Sequence, residues 1–329
     1  MSLVSVICTA FPTDLDSDET QASLESVLAG TYQQFELICI GVGETQSASE
    51  QRDRRLRWVQ PSPDSNLTAL EQAVAQSRGE LITWIQPGDR WQREKLSRQV
   101  AALAAADDPQ TAIATSQVSQ QGNPLPIPTI PPDAPTTTLY DALRLYYHWQ
   151  TLSNPLIRRE AWLAVAREGL ELEESDLFCG GWRLAVALAE QFQAIALDET
   201  LVELAPWTSP SLSQWQQLRQ ALEETLASFI TPEDPPDLQS KAQHNQYKYL
   251  LARALCDSLT PDLAAELPPI LKILYQNDPS IQHEGALLVE TYRRLATGDR
   301  LNLSHRWLAT LQVTPKPLIT VVVPVYNGE

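Results

Sequence analysis

The chain has 329 residues, of which 43% are hydrophobic, and a net charge of −17. This length accommodates two domains, and the apolar content is that of a globular protein. The acidic balance argues against a nucleic-acid partner and against binding to an anionic membrane, because both need patches of Lys and Arg. No apolar run approaches the roughly 18 residues of a membrane-spanning helix, so no transmembrane segment is predicted.

The cysteines and histidines do not form a recognisable metal motif. Cys8 and Cys39 lie in apolar, strand-like runs, and the four cysteines are not spaced as zinc ligands. Buried free thiols are typical of a reducing compartment. The N-terminal run 3–9 has no basic flank and is too short for a secretory signal, so it is interpreted as a first strand. We therefore expect a cytoplasmic protein.

The first part of the chain alternates short apolar runs with amphipathic helices. Strands are predicted at 4–9, 35–40, 56–59, 81–85 and 111–118. Helices are predicted at 19–30, 66–77 and from Trp91 or Gln92 to Leu103. This order is typical of a largely parallel sheet wrapped by helices, an α/β fold.

The turn Gln86-Pro87-Gly88-Asp89 follows the buried strand 81–85. Pro fixes φ, Gly permits positive φ, and Asp89 is suited to cap the helix after it. Open α/β sheets bind their ligands just beyond the carboxyl ends of the strands. We therefore expect this turn to face a functional site.

The region after residue 121 is more irregular. Six prolines within 122–135 exclude a central strand or a helix there, and indicate a surface loop of the kind that often lies over a site. An aromatic helix is predicted at 138–152, followed by a second helix after Leu156–Trp162. Beyond these, a helix is predicted at 181–191 and closing strands at 192–197 and 201–204.

Beyond Pro206 the pattern is helical only. Helices are predicted around 215–229, 238–258, 261–276, 279–297 and 304–312, and Thr260 precedes Pro261 as a cap. The final stretch 319–328 then repeats the hydrophobic pattern of residues 4–12. We divide the chain into an α/β domain (1–205), a helical domain or spacer (206–315) and the first strand of a truncated second α/β domain (316–329).

Several segments resemble the family-2 glycosyltransferases of the GT-A fold. Residues 24–38 are similar to the family's first helix and second strand. Residues 78–82 and 91–100 resemble the segments that flank its Asp-x-Asp motif, and 156–161 resembles its later acceptor-side segment. The resemblance covers about 3–205. It implies a Rossmann-like, mostly parallel sheet with flanking helices and a nucleotide-diphosphate sugar as donor.

The resemblance also implies a metal site, which this chain matches only in part. Family members hold a divalent cation, Mn²⁺ or Mg²⁺, on an Asp-x-Asp-Asp turn, where it neutralises the leaving diphosphate. The corresponding turn here is 86–89, and it keeps one carboxylate, Asp89. Asp89 is therefore a candidate metal ligand, and the helix cap remains its alternative role.

The donor and base positions differ from the family as well. The resemblance places the nucleotide-sugar contacts at Thr9, Phe11, Gly41, Gly43, Gln86 and Gly88. The acidic pair that supplies a general base falls at Gly180-Gly181, before Trp182. Glu174 and Asp176 lie a few residues earlier and are the candidate bases, with a solvated acidic loop as the alternative.

Two functions follow from these observations. The first is transfer of a sugar from a nucleotide-diphosphate sugar to an unknown glycan acceptor, with degenerate metal and base motifs. The second is a catalytically inactive glycosyltransferase-like module that binds a ligand or serves an adjacent active domain. The repeated strand at 319–328 suggests that this partner is a second glycosyltransferase domain of the same chain, in tandem with the first.

Overall fold

The computed structural model describes thirteen parts of the chain, and all structural statements below concern these residues. They are 2–9, 17–40, 53–62, 64–65, 67–106, 108–125, 151–170, 181–206, 210–232, 234, 236–255, 260–277 and scattered positions from 287 to 307.

Nine strands form one mixed sheet. They are β1 Val4–Cys8, β2 Phe35–Ile40, β3 Leu56–Val59, β4 Leu81–Ile85, β5 Arg90–Trp91, β6 Thr111–Gln120, β7 Asn123–Leu125, β8 Leu156–Arg158 and β9 Gln193–Leu204. The strand order is β3-β2-β1-β4-β8-β6-β9-β5, and β7 pairs with β6 outside this path.

The first four strands of this order are parallel, as the sequence predicts. β1 pairs with both β2 and β4, and β2 pairs with β3. Every residue of β1 and of β4 is buried, because helices cover both faces of a parallel sheet. The carboxyl ends of these strands therefore share one edge of the sheet.

The other strands bring distant segments to that edge. β8 is antiparallel to β4, so the residues just before Leu156 lie beyond the carboxyl end of β4. β5 is antiparallel to the end of β9, with Arg90 opposite Glu203, so Ala205 follows closely. Two segments far apart in sequence thus meet the turn after β4.

The described residues form eight helices. They are α1 Asp18–Leu28, α2 Ala69–Gln76, α3 Lys95–Ala105, α4 Arg159–Arg167, α5 Trp182–Gln191, α6 Leu212–Phe229, α7 Pro236–Ala254 and α8 Pro261–Asn277. Four of them begin at a hydroxyl that accepts a hydrogen bond from a first-turn amide, as N-caps do: Ser17, Thr68, Ser211 and Thr260. The predicted cap at Thr260 is confirmed.

The structure corrects the start of the helix after the turn. Arg90–Trp91 is a two-residue strand, and α3 begins only at Lys95, with Glu94 as its N-cap residue. Trp91 is buried, and its indole nitrogen donates to the Ser153 carbonyl, so it is held in the sheet. The prediction that Asp89 caps a helix at Trp91 is therefore wrong.

Three smaller differences concern the irregular part of the chain. Leu156–Arg158 is a strand and not only the approach to a helix, and the two predicted closing strands form the single strand β9, whose register against β6 shifts near Gln117. Residues 123–125 of the proline-rich loop form β7 at the edge of the sheet, a place that tolerates proline. Most of the predicted aromatic helix 138–152 lies outside the described residues.

One apolar cluster runs through the described sheet and helices. Cys8 and Cys39 are buried thiols within it, as predicted, and they do not form a disulfide. Trp215 of α6 is fully buried, and its indole nitrogen donates to the Leu250 carbonyl of α7. This tryptophan therefore links the two helices. None of the described helices is long and apolar enough to cross a membrane.

A polar cluster holds the amino end of β4. The Ser5 hydroxyl accepts from the Gly79 amide and donates to Glu36, and Glu36 also pairs with Arg57. The Arg159 guanidinium donates to the Ser77 and Val74 carbonyls at the end of α2, which satisfies groups that a helix C-terminus leaves free. This edge of the sheet is fastened by charged side chains.

Candidate functional site

The turn 86–89 lies beyond the carboxyl end of β4, where the sequence places the site. The Thr9 amide, which follows β1, donates to the Ile85 carbonyl over 3.0 Å, so the ends of β1 and β4 are joined there. Thr9 is buried, and its hydroxyl also turns toward the Ile85 carbonyl. Thr9, which the sequence predicts to contact the nucleotide sugar, thus lies beside the turn. Its side chain is directed to the backbone.

Asp89 is buried at the centre of a polar network. Its Oδ2 accepts hydrogen bonds from the Thr151 hydroxyl over 2.6 Å and from the Ser153 hydroxyl over 2.7 Å. Its Oδ1 accepts from the Ala205 amide over 2.9 Å. Burial raises the pKa of Asp89, and these hydrogen bonds offset part of that rise. One carboxyl group therefore links the turn, the segment before β8 and the end of β9.

Gln86 is directed into the same network. Its Oε1 accepts from the Leu152 amide over 3.0 Å and lies 2.7 Å from the Thr151 hydroxyl. Its backbone amide donates to the Ser153 hydroxyl over 2.8 Å. The Thr151 hydroxyl in turn accepts from the Ser153 amide. Both polar side chains of the turn are thus bonded to residues 151–153.

Gly88 lies against the end of β9. It has a φ of 86°, and an added Cβ would lie 2.8 Å from the Ala205 Cβ. The Ser23 hydroxyl of α1 accepts from its amide over 2.9 Å, and Ser26, one helical turn later, accepts from the Trp91 amide. The position therefore has no room for a larger side chain in this arrangement.

Leu152 fills the space beside the start of α5. Gly181, the N-cap residue of α5, has a φ of 75°, and an added Cβ would lie 2.1 Å from the Leu152 Cδ2. Leu152 itself is buried. A side chain at position 181, where the family resemblance places one of the two acidic residues, would overlap with this leucine.

A second buried polar group lies at the start of α3. Lys95 is fully buried, and its Nζ lies 2.8 Å from the Gln99 Oε1 and 4.0 Å from the centre of the Trp91 ring. Gln99 donates to the Asn154 and Ala114 carbonyls. Burial holds the pKa of Lys95 well below its ordinary value. The helix periodicity did not indicate that Lys95 is buried, since Lys95 stands in an ordinary amphipathic pattern.

The other predicted site residues cannot be placed. Phe11, Gly41 and Gly43, and the candidate bases Glu174 and Asp176, lie outside the described residues. Within the part of the chain that the structure describes, no group of three or more His, Cys, Asp or Glu side chains is suited to hold a metal ion. The described turn offers one buried carboxylate that is already hydrogen-bonded, which is not a donor set that fits a divalent cation.

Comparison with solved structures identifies the fold. The Staphylococcus aureus protein TarS, residues 1–349, aligns with 92% of this chain and 89% of its own, at 12% sequence identity and a TM-score of 0.53. The chain has a glycosyltransferase fold. At this identity the likeness shows the fold alone.

Two further structures are similar at lower scores. A longer TarS structure aligns with 92% of this chain and 54% of its own, with a TM-score of 0.49 and 12% identity. A mannosyltransferase from Pyrobaculum calidifontis, solved with GDP-mannose and Mn²⁺, covers 94% of this chain and 86% of its own, at 15% identity and a TM-score of 0.47. No protein-family model and no curated protein sequence matches the chain.

Proposed function

We propose that this chain is a family-2-type glycosyltransferase domain whose turn 86–89 serves the structure and not a metal, and that it acts by binding rather than by metal-dependent sugar transfer. The observation that carries the proposal is the inward direction of both polar side chains of the turn. Gln86 and Asp89 are bonded to residues 151–153 and to Ala205.

The energetics of Asp89 support a structural role. A divalent cation of this class takes six or more oxygen ligands and needs lone pairs that point at it. Releasing Asp89 to a metal would leave the Ser153 hydroxyl and the Ala205 amide without their acceptor, while the Thr151 hydroxyl could still donate to Gln86. Each buried group left unpaired costs about 1–3 kcal/mol, so the existing hydrogen bonds oppose metal binding at this carboxylate.

The surroundings of Gly181 support the same view. A general base contributes roughly 10²–10⁴-fold to the rate of such a reaction. Position 181 has no side chain, and Leu152 occupies the space in which one would begin. A domain without a base at this position is better suited to hold a ligand than to activate an acceptor hydroxyl.

The proposed ligands are a nucleotide-diphosphate sugar or a glycan, at the edge where β1, β2 and β4 end. The proposed partner is the second glycosyltransferase domain suggested by residues 319–328, with 206–315 as a helical spacer between the two. A second candidate function is sugar transfer by this domain itself. The fold shared with TarS over 92% of the chain favours it, and a TarS fragment has also been solved with UDP-GlcNAc.

Calorimetric titration separates the two functions. UDP-GlcNAc and GDP-mannose are each titrated into the protein with and without Mn²⁺, and release of free nucleotide is followed in the same samples. We expect any binding to be the same with and without Mn²⁺, and no release of UDP or GDP. Mn²⁺-dependent binding together with nucleotide release would establish transfer and reject the proposal.

The variant Asp89→Asn provides the matched control. Asn keeps an oxygen for the Ala205 amide but cannot act as a charged metal ligand. We expect Asp89→Asn to change the free energy of unfolding and to leave any nucleotide-sugar affinity unchanged. An affinity that falls only in the presence of Mn²⁺ would identify Asp89 as a metal ligand.

A further inference from the structure

A groove of about 440 Å³ lies between α4, α5 and α6, and none of its lining residues belongs to the turn 86–89 or to 151–154. Its apolar floor consists of Val165, Leu170, Ala187 and Phe229. Val165 is buried, and the other three are half-buried, so apolar surface remains open to a ligand. The volume is in the range of pockets that hold small organic molecules.

The walls of the groove are acidic. Glu168, Glu190 and Glu224 contribute one carboxylate each from α4, α5 and α6 and are exposed to solvent. Arg183 supplies the single positive charge among the described lining residues. Three negative charges and one positive charge leave the described lining residues with a net charge of −2.

Two of these carboxylates lie where a helix disfavours them. Glu168 is the C-cap residue of α4, and Glu190 lies in the last turn of α5. Helix C-termini carry a partial negative charge and favour cations. The Gln191 side chain, which ends α5, donates to the Glu168 carboxylate over 2.7 Å and so holds the two helix ends together beside the groove.

The Glu190 carboxylate has no hydrogen bond or ion pair with any other described residue. Its neighbour in the groove, Glu224, accepts from Gln220 of its own helix and has no cationic partner in the described part of the chain. Both carboxylates therefore keep lone pairs for a ligand that donates hydrogen bonds and carries positive charge.

We infer that this groove binds a small organic dication with an apolar stem, of the polyamine class. Two ammonium groups match the net charge of −2 and the partial charges of the two helix ends. A methylene stem packs on Leu170, Ala187 and Phe229, as the stems of Lys and Arg pack on apolar surfaces elsewhere. The inference does not depend on the activity proposed for the turn 86–89.

Titration with matched probes tests the inference. The probes are 1,8-diaminooctane and spermidine, and the neutral control is 1,8-octanediol, which has the same stem as the diamine without its charges. Binding is followed by calorimetry and by NMR of the protein. We expect the diamine and spermidine to bind in a salt-dependent manner, and octanediol to bind at least tenfold more weakly or not at all.

Charge-neutralising variants place the site. We expect Glu190→Gln and Glu224→Gln each to weaken diamine binding by about two- to fivefold, the range for exposed ion pairs, and their combination to weaken it further. Glu223 on the same helix is not among the lining residues and pairs with Arg219, so Glu223→Gln serves as the control, with unchanged affinity. The thermal unfolding midpoint of each variant verifies that the fold is intact.

Three results would overturn the inference. The first is equal binding of octanediol and diaminooctane, which would make the groove a purely apolar site. The second is diamine binding that Glu190→Gln and Glu224→Gln leave unchanged, which would place the cation elsewhere. The third is no binding of either amine at millimolar concentration while a lysine-rich peptide binds, which would assign the groove to a protein partner.

Discussion

The two ends of strand β4 are both held by polar networks, but the networks differ in kind. At the amino end, the charged side chains of Glu36, Arg57 and Arg159 join the strand to its neighbours and to the end of α2. At the carboxyl end, Asp89 and Gln86 form buried hydrogen bonds with 151–153.

This comparison is informative because the two edges of a parallel sheet normally have different tasks. Residues at the carboxyl edge bind ligands, and those at the amino edge stabilise the fold. In this chain the described side chains of the turn at the carboxyl edge are also used to stabilise the fold. The likeness to a glycosyltransferase is one of fold, and both polar side chains of the turn after β4 are hydrogen-bonded within the protein.

The largest effect is expected at Gly181, beside the carboxyl-end network. Gly181→Ala places a Cβ 2.1 Å from Leu152 and forces a left-handed conformation on alanine. We expect the free energy of unfolding to fall by about 3 kcal/mol or more. Urea denaturation measures it.

Gly169→Ala is the matched control for that experiment. Gly169 has a φ of 92°, but nothing lies within 4 Å of its Cβ position. It therefore tests backbone strain alone, and we expect a cost of about 1 kcal/mol. Equal effects of the two substitutions would show that Leu152 moves aside easily and that the space at Gly181 is accessible.

Asp89→Ala is expected to have the next largest effect. It leaves the buried Ser153 hydroxyl and Ala205 amide without an acceptor, and it removes one of the two acceptors beside the Thr151 hydroxyl. We expect a loss of about 3 kcal/mol in the free energy of unfolding. Glu36→Ala, at the half-buried amino end, should cost about 1 kcal/mol, because water can reach the groups that it releases. A smaller loss of stability from Asp89→Ala than from Glu36→Ala would contradict the expectation that the buried network at the carboxyl end of β4 contributes more than the charged network at its amino end.

The buried side chain of Lys95 predicts that the free energy of unfolding depends on pH. Its folded-state pKa lies well below that of the unfolded chain, so the unfolded state binds more protons between the two values. Stability should therefore rise as the pH increases toward 10.5, with a slope of at most about 1.4 kcal/mol per pH unit. Denaturation at pH 7, 8, 9 and 10 measures it, and we expect Lys95→Met to remove this slope. Parallel pH profiles of the two proteins would show that the amine is charged in the folded state.

The smallest effect is expected at the amino end. Arg159→Lys replaces a planar guanidinium, which reaches both the Ser77 and the Val74 carbonyls, with a single ammonium. We expect the free energy of unfolding to fall by about 1 kcal/mol and the amides in the last turn of α2 to exchange hydrogen faster. Unchanged exchange in α2 would mean that Arg159 does not secure that helix end.

Sequence reasoning predicted the parallel strands and most described helices, because their burial pattern repeats over short distances. It missed β8 as a strand, since a three-residue element carries too short a pattern. It also missed the partners of Asp89, which lie 62, 64 and 116 residues away. Thr151 and Ser153 are ordinary polar residues in the sequence, and only the antiparallel pairing of β8 with β4 brings them to the turn.

The close approach of Gly88 to Ala205 limits which residues position 88 can accept. A carboxylate at position 88 requires a Cβ only 2.8 Å from the Ala205 Cβ, on a backbone with a φ of 86°. The end of β9 must therefore shift before an acidic residue is tolerated there, and Ala205 is also bonded to Asp89. Gly88→Asp alone is therefore expected to destabilise the protein, and a carboxylate at position 88 requires an accompanying change at the end of β9.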